Sequence, residues 1–336
     1  MKKFILNALQ YLLFLLIGVV LVYLAFRSID LKVLIDRILN ARYDLIVVSL
    51  FFGFFGMIAR TYRWQLMIEA MGYNPKALNT YHALMIGYTA NYAFPRIGEI
   101  TRCGVLNRTE KIPGDELIGT VVMERVCDLV MLFVLTIILI FIKIRFFGNF
   151  FNEKIFQPLF QKFSWVLDFS ILTWVIIVVA VFAAFSLLYI FREKLGSFIL
   201  VKKAGKLWYG VLDGMKSVFK LKKKLHFIVI TLLIWVLYLI MTFFAMKALA
   251  STSQLNIIDA FFLLVIGSYG FAAPVQAGIG AYHGIIALGL SLYNISWSDG
   301  LAYAVLSHGS QAISIIALGL ISMLFLSFRK KVNKAI

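Results

Sequence analysis

Two stretches of the chain share one pattern, and that pattern decides the fold. The first is Gly87-Tyr-Thr-Ala-Asn-Tyr-Ala-Phe-Pro95-Arg-Ile-Gly98-Glu99, and the second is Gly267-Ser-Tyr-Gly-Phe-Ala-Ala-Pro274-Val-Gln-Ala-Gly278-Ile-Gly280. Proline removes a backbone donor and restricts the residue before it, so we expect helices to break near Phe94 and Ala273. The residues that define the two breaks are Gly87, Pro95 and Gly98, and Gly267, Pro274, Gly278 and Gly280.

The composition places these breaks in a membrane. Of the 336 residues, 62% are hydrophobic and 15% are charged, whereas a soluble domain averages about 45–50% and about 25%. A broken helix at membrane depth is tolerable only where protein or a water-filled cavity satisfies its backbone groups. Paired interruptions in the two halves of a chain indicate a transporter site. The alternative is that glycine and proline form ordinary kinks.

Six runs predict full membrane crossings, because a helix needs about 20 apolar residues to span the hydrocarbon. They are Phe4 to Phe26, Leu45 to Ala59 extended by Tyr43 and Tyr62, Glu124 to Ile142, Phe169 to Phe191, Phe227 to Met246, and Leu301 to Phe328. Ala77 to Phe94 and Ala260 to Ser298 are apolar but poorly formed as single spans. We therefore predict one all-α polytopic membrane domain over 1–336, with about six full transmembrane helices and two re-entrant helix pairs.

The charge pattern predicts the orientation. The 33 Lys and Arg outnumber the 16 Asp and Glu, and ten of the basic residues lie in the segment 192–224. Lys and Arg concentrate in cytoplasmic loops, so we expect this segment and both termini inside a bacterial cytoplasmic membrane. With both broken stretches re-entrant, repeat one (about 43–142) and repeat two (about 227–328) form an inverted pair. If 77–94 instead crosses the membrane fully, the amino terminus lies outside. The distribution of Lys and Arg does not decide between these two topologies.

Charged residues near the first break are candidates for binding a lipid headgroup. They are Arg96, Glu99, Arg102, Glu124, Arg125 and Asp128, and the amide of Asn91 is a further candidate. Ionisable groups in a bilayer are costly and imply a polar interior, and a guanidinium grips phosphate oxygens with two parallel hydrogen bonds. Spacings of three residues let Arg96, Glu99 and Arg102 interact on one side of a helix, and Arg125 is expected to reach Asp128. The alternative is that these charges only neutralise one another as structural clasps.

The second half offers hydrogen-bonding groups instead. Candidates there are Tyr269, Gln276, Tyr282, His283, His308 and Gln311, and they suit a sugar, an amide, a phosphate or a moving proton. Arg60, Arg63 and Trp64 end the second span and are interpreted as interfacial anchors.

Several classes of function lack a signature. There is no G-x-x-x-x-G-K-[ST], H-E-x-x-H or G-x-S-x-G motif, so we predict no enzymatic activity. Nor is there a nucleic-acid-binding pattern. Cys103 and Cys127 have no metal or redox spacing, and we expect no metal or cofactor.

The blocks around the two breaks resemble a known family. They are Asn91 to Arg102, Ile112-Pro113, Val122 to Asp128 and Ala273 to His283. They are similar to the flippase-like membrane domain of lysylphosphatidylglycerol synthases, the amino-terminal half of the multiple peptide resistance factor. The positions that match are Arg63, Trp64, Asn91, Pro95, Arg96, Gly98, Glu99, Arg102, Glu124, Arg125, Asp128, Pro274, Gly278, Gly280 and Gln311.

The resemblance implies a protein that moves a phospholipid or a lipid-linked molecule between leaflets, with an anionic or amino-modified phospholipid as its partner. Bifunctional members continue into a soluble aminoacyl transferase domain, and this sequence ends at Ile336 without one. Two alternatives stay open. One is an intramembrane transferase with Glu124 or Asp128 as base, and the other is a membrane subunit that recruits a separate cytosolic transferase.

Overall fold

The computed structural model describes residues 31–94, 96–143, 221 and 223–335, together with 19, 20, 22, 23 and 26. Most of the predicted span Phe4 to Phe26, the span Phe169 to Phe191, Pro95 and nearly all of the basic segment 192–224 lie outside the described residues. The part of the chain that is described contains α-helices, one 3₁₀ turn and no strand. The prediction of an all-α protein is confirmed.

The described residues form nine α-helices. In chain order they are α1 (Leu31–Leu39), α2 (Tyr43–Glu69), α3 (Ala77–Ala93), α4 (Ile97–Glu110), α5 (Gly114–Ile142), α6 (Lys224–Lys247), α7 (Ile257–Ala272), α8 (Ala281–Ser291) and α9 (Trp297–Ala335). The 3₁₀ turn, Gln276–Gly278, lies between α7 and α8.

Four of these helices, α2, α5, α6 and α9, are long and apolar enough to cross a membrane. They correspond to four of the six predicted spans, and the protein is a multi-pass membrane protein. The helices extend beyond the predicted runs, because α2 continues to Glu69 and α5 begins at Gly114. An apolar run predicts the part of a helix inside hydrocarbon, whereas backbone hydrogen bonding continues into the polar flanks.

Both predicted helix breaks are present. α3 ends at Ala93, and Phe94 is extended (φ −142°, ψ 134°), the conformation favoured before proline. Arg96 then caps α4 in the left-handed region with φ 59°. In the second half, α7 ends at Ala272, just ahead of Pro274.

The turn between α7 and α8 has an unusual backbone. Ala277 (φ 47°), Gly278 (φ 77°) and Gly280 (φ 83°) all have positive φ. A Cβ added to Gly278 would also lie 2.8 Å from Cδ1 of Phe271. Glycine at 278 therefore meets two requirements, the left-handed conformation and the lack of space.

The helices next to the breaks are short and tightly packed. α3 has 17 residues and α7 has 16, which gives lengths of about 25 Å and about 24 Å, less than the roughly 30 Å of hydrocarbon. A Cβ on Gly87 of α3 would lie 2.7 Å from the carbonyl oxygen of Gly98 in α4. A Cβ on Gly270 of α7 would lie 2.7 Å from Cα of Tyr282 in α8. The close packing of α3 on α4 and of α7 on α8 therefore requires glycine at these positions.

The order of long and short helices occurs twice along the chain. α2, α3, α4 and α5 run long, short, short, long, and α6 to α9 repeat that order. This is the element order expected of two repeats, whose inverted relation stays a prediction. The leading helices of the two sets pack together, since Ser49 Oγ donates to the Met241 carbonyl at 2.8 Å and Phe52 stacks on Phe244.

The chain divides into two compact units, 1–132 with 218–336, and 133–217. In the first unit, α9 lies against α3, where His82 Nδ1 and Ser322 Oγ are 2.9 Å apart and Thr89 Oγ1 donates to the Ile315 carbonyl at 3.1 Å. Of the second unit, residues 133–143 are described, and they form the last part of α5.

Replacing Asn256 with alanine is expected to lower the free energy of unfolding by about 1 kcal/mol. The Asn256 side chain caps α7, because its Oδ1 accepts from the backbone N–H groups of Ile258 (2.8 Å) and Asp259 (3.2 Å). Asp259 Oδ2 in turn accepts from the Asn256 backbone N–H at 2.9 Å. Thermal unfolding in detergent measures the loss. Gln254→Ala, an exposed change just before the cap, is the control, and equal midpoints for the two variants would contradict the capping role.

Candidate functional site

Five ionisable side chains from three helices meet beside the first break. This charged cluster consists of Arg60 and Arg63 of α2, Arg102 of α4, and Glu124 and Asp128 of α5. Glu124 Oε1 lies 2.6 Å from Arg60 Nη2 and 3.3 Å from Arg63 Nη2. Its other oxygen lies 2.7 Å from Arg102 Nη1. Asp128 reaches Arg60 Nη2 and Arg63 Nη2, both at 2.7 Å.

The cluster is buried. The side chains of Arg63 and Glu124 are 0% exposed, and that of Arg102 is 2% exposed. Arg60 and Asp128 are 11% and 19% exposed. Charges taken out of water are stable only when they are paired and hydrogen-bonded. Glu124 contacts all three arginines, so it is the residue that holds the cluster together.

The cluster also lies deep along its helices. Arg60 is nine residues before the end of α2, and Glu124 is ten residues after the start of α5. At about 1.5 Å per residue these positions are about 14 Å and about 15 Å from the helix ends, so the cluster lies two to three turns inside both helices.

Helical spacing explains how the charges converge. Arg60 and Arg63 are three residues apart on α2, and Glu124 and Asp128 are four apart on α5, so each pair shares one side of its helix. Aromatic rings lie beside two of the arginines, since Arg60 Cζ is 5.7 Å from the ring centroid of Tyr88. The Arg102 guanidinium lies 4.6 Å from the ring centroid of Trp64, and Trp64 Nε1 donates to Thr120 Oγ1 at 2.8 Å.

The interpretation of Arg60, Arg63 and Trp64 as interfacial anchors is wrong. Arg63 and Trp64 are fully buried, and Arg60 is paired with two carboxylates. The prediction failed because the apolar run ends before Arg60, whereas α2 continues for nine residues beyond it. The matched spacings of two arginines and two carboxylates were the available signal.

The other charged candidates lie outside the cluster. Arg125 pairs with Glu99 at 3.2 Å rather than with Asp128, and its side chain is 44% exposed. Arg96 is exposed at the start of α4. The expected grouping of Arg96, Glu99 and Arg102 therefore does not form, since Arg102 alone joins the cluster. Asn91 Oδ1 accepts from the backbone N–H of Gly98 at 2.7 Å and joins α3 to α4.

Around the second break, two buried histidines and a buried tyrosine lie together. The ring centroids of His283 and His308 are 5.2 Å apart, and that of Tyr282 lies 5.3 Å from that of His308. The Tyr282 hydroxyl and Ser307 Oγ are 3.1 Å apart. His283 Nδ1 accepts from the backbone N–H of Gly280 at 3.3 Å.

The other predicted residues of the second half differ in burial. Gln276 is half-buried in the 3₁₀ turn and Gln311 is half-buried on α9. Tyr269 and Pro274 are exposed. Gly267 faces the Tyr282 ring, with 2.8 Å from an added Cβ to Cε2.

The two breaks lie against each other. The 3₁₀ turn of the second break contacts α3 as well as α7. The ring of Tyr92, near the end of α3, lies 6.4 Å from the ring of His308. Residues about 180 positions apart in sequence, near Pro95 and Pro274, therefore come together in space.

A separate cavity of about 400 Å³ lies at the end of α2. It is lined by Leu66, Glu69, Ala70, Gly72, Tyr73, Asn74, Leu221 and Lys223. Lys223 Nζ donates to Glu69 Oε2 at 2.9 Å, and this hydrogen bond raises the pKa of Lys223. None of the lining residues belongs to either break or to the charged cluster.

Almost the whole chain matches one known family. The model described as the lysylphosphatidylglycerol synthase transmembrane region matches residues 11–319. The chain belongs to this family. The match includes both breaks and all five residues of the charged cluster, and it confirms the family predicted from the sequence.

Similarity to individual proteins is weaker. The chain is 23% identical over 327 residues to the UPF0104 membrane protein MJ1595 of Methanocaldococcus jannaschii, and the alignment covers 91% of each protein. No solved structure matches the chain significantly. Among the described residues, no group of three or more His, Cys, Asp or Glu side chains is arranged to hold a metal ion.

Proposed function

We propose that this protein is a flippase-like transporter that moves the headgroup of a phospholipid or a lipid-linked molecule across the cytoplasmic membrane. Its family is named after an enzyme whose product is a phospholipid, and the matched part is the transmembrane region. The acyl chains stay in the surrounding lipid while the headgroup crosses through a polar interior. Both chain termini lie on the cytoplasmic side.

The observation that carries this proposal is the contact between the two helix breaks. Each break follows a helix, α3 or α7, that is too short to cross the bilayer alone. The 3₁₀ turn of the second break packs against α3 of the first half. Interrupted helices that meet at the interface of two repeats are the usual place for a transporter site. Polar groups lie on either side of the contact, with the charged cluster near the first break and His283 and His308 near the second.

Purified protein in liposomes is expected to accelerate lipid movement between leaflets. The probe is a fluorescent phosphatidylglycerol whose headgroup-side fluorophore is bleached only when it lies in the outer leaflet. With the protein, a second and faster phase of bleaching reports lipid arriving from the inner leaflet. Liposomes without protein give the baseline, and the proposal is contradicted if the two preparations bleach at the same rate.

Gly278→Ala is expected to reduce this rate by up to about 5- to 30-fold, because an alanine at φ 77° costs roughly 1–2 kcal/mol and lowers by that factor the share of folded protein that keeps the native turn. Gly284→Ala is the matched control. Gly284 lies on α8, six residues further on, and an added Cβ there meets no atom within 4 Å. Both variants are compared at equal amounts of folded protein, as judged by gel filtration. Equal transport rates for Gly278→Ala and Gly284→Ala would contradict a role of the second break in transport.

A further inference from the structure

Among the described residues, the charged cluster carries one positive charge more than its carboxylates neutralise. Arg60, Arg63 and Arg102 bring three positive charges, and Glu124 and Asp128 bring two negative charges. The excess is held where Arg63 and Arg102 are at most 2% exposed. An uncompensated buried charge is strongly destabilising. The fold therefore favours one additional anion at this place.

The arginines also have hydrogen-bond donors to spare. Five buried guanidinium nitrogens find no acceptor among the described residues, namely Arg60 Nε, Arg63 Nε and Nη1, and Arg102 Nε and Nη2. The buried hydroxyl of Tyr88 has no partner there either, and its ring lies 5.7 Å from Arg60 Cζ. Buried polar groups are almost always hydrogen-bonded, so this many donors in one place indicate a ligand rich in acceptors.

The chemistry of the donors selects the ligand. Guanidinium groups offer planar pairs of N–H donors that match the oxygens of phosphate. A phosphodiester carries one negative charge, which equals the excess in the cluster, and its two unesterified oxygens accept several hydrogen bonds. We infer that the charged cluster is a binding site for one monoanionic phosphodiester, that of a phospholipid headgroup. The choice of a lipid as the source of the phosphate rests on the proposed function.

This site differs from the one that the sequence suggested. Arg96 is exposed and stays outside it, whereas Arg60 and Arg63 belong to it. Glu124 and Asp128 do not bind the phosphate. They hold the arginines in place and reduce three positive charges to one, which keeps the affinity low enough for the headgroup to leave.

If the carboxylates only reduce the positive charge of the cluster, removing one of them should increase the affinity for the phosphodiester. Asp128→Asn raises the net charge of the cluster from one to two and releases a donor of Arg60 or Arg63, because an amide has one acceptor oxygen where the carboxylate has two. We expect it to bind the phosphodiester about tenfold more tightly, since a like charge next to the anion is removed. A misfolded variant would not gain affinity, so this outcome is specific.

The complementary variant removes one positive charge. Arg60→Gln is expected to bind about tenfold more weakly. Arg42→Gln is the matched control, because Arg42 lies at the start of the same helix, where it is exposed and pairs with the exposed Asp44. This variant removes one arginine charge just before α2 without altering the cluster and should bind as the wild type does.

Calorimetric titration of the full chain in detergent measures these affinities. The probes are dioctanoyl phosphatidylglycerol, dioctanoylglycerol without the phosphate, and inorganic phosphate without the chains. The site is supported if only dioctanoyl phosphatidylglycerol binds, and if Asp128→Asn raises its affinity while Arg60→Gln lowers it. The inference is overturned if both dioctanoyl compounds bind alike, if inorganic phosphate binds as tightly as the lipid, or if Asp128→Asn leaves the affinity unchanged.

This result is separable from the proposed function, because the titration involves no movement between leaflets. Binding without translocation in liposomes would leave the site in place and remove the transport. If the protein translocates lipid but neither Asp128→Asn nor Arg60→Gln changes the affinity, transport is supported and the phosphate site is contradicted.

Discussion

Replacement of Glu124 by alanine is expected to lower the free energy of unfolding by about 3–5 kcal/mol. Glu124 is fully buried, and its two oxygens lie within 3.3 Å of nitrogens of Arg60, Arg63 and Arg102. Without it, three buried guanidinium groups face a single carboxylate, Asp128. The midpoint temperature of thermal unfolding in detergent should fall by about 4–7 °C.

Glu99→Ala is the control for this change. Glu99 is also paired with an arginine of α5, but Arg125 is 44% exposed and Glu99 is 25% exposed, so its loss leaves one partly exposed guanidinium without a partner instead of three buried ones. Its loss should lower the free energy of unfolding by no more than about 1 kcal/mol. The double variant Arg102→Leu/Glu124→Leu should recover part of the stability, since it removes both members of a pair. Equal small losses in Glu124→Ala and Glu99→Ala would contradict the central role of Glu124.

Gly98→Ala is expected to destabilise the hairpin of α3 and α4 by at least about 1–3 kcal/mol, the usual effect of overpacking. A Cβ at Gly98 would lie 2.6 Å from Asn91 Oδ1 and would overlap the carbonyl oxygen of Gly87. Because that oxygen belongs to the backbone, the two helices must separate. Asn91 would also lose its hydrogen bond to the Gly98 N–H.

Gly104→Ala is the matched control on the same helix. An added Cβ at Gly104 meets no atom within 4 Å, and Gly104 is an interior position of α4. Alanine there should be neutral or stabilising by about 0.5–1 kcal/mol, because it has the higher helix propensity. The close approach of α3 and α4 is contradicted if the two variants have the same unfolding midpoint.

The helix breaks could be predicted from sequence because their cause is local. Proline restricts the residue before it, so Phe94 and Ala273 mark the ends of α3 and α7 within one residue. The four described spans were also predictable, since about 20 apolar residues are a requirement of the bilayer itself. Their full lengths were not, because a helix continues past the hydrocarbon wherever its backbone bonds do.

The charged cluster could be predicted only in part, because it depends on which helices are neighbours. Glu124 and Asp128 share a helical face in any fold, and that much is visible in the sequence. Their partners Arg60 and Arg63 lie about 60 residues earlier on another helix, and no local rule connects the two. Arg96 and Arg102 were grouped by proximity along the chain, yet the left-handed turn at Arg96 and the burial of Arg102 separate them.

A structure determined in lipid doped with phosphatidylglycerol tests the phosphate site most directly. We expect a phosphate among Arg60, Arg63 and Arg102, with oxygens about 2.8 Å from the guanidinium nitrogens that lack a protein partner. Glu124 should still contact Arg102 while the lipid is bound. A phosphate seated instead in the cavity beside Glu69 and Lys223, with the charged cluster unoccupied, would contradict it.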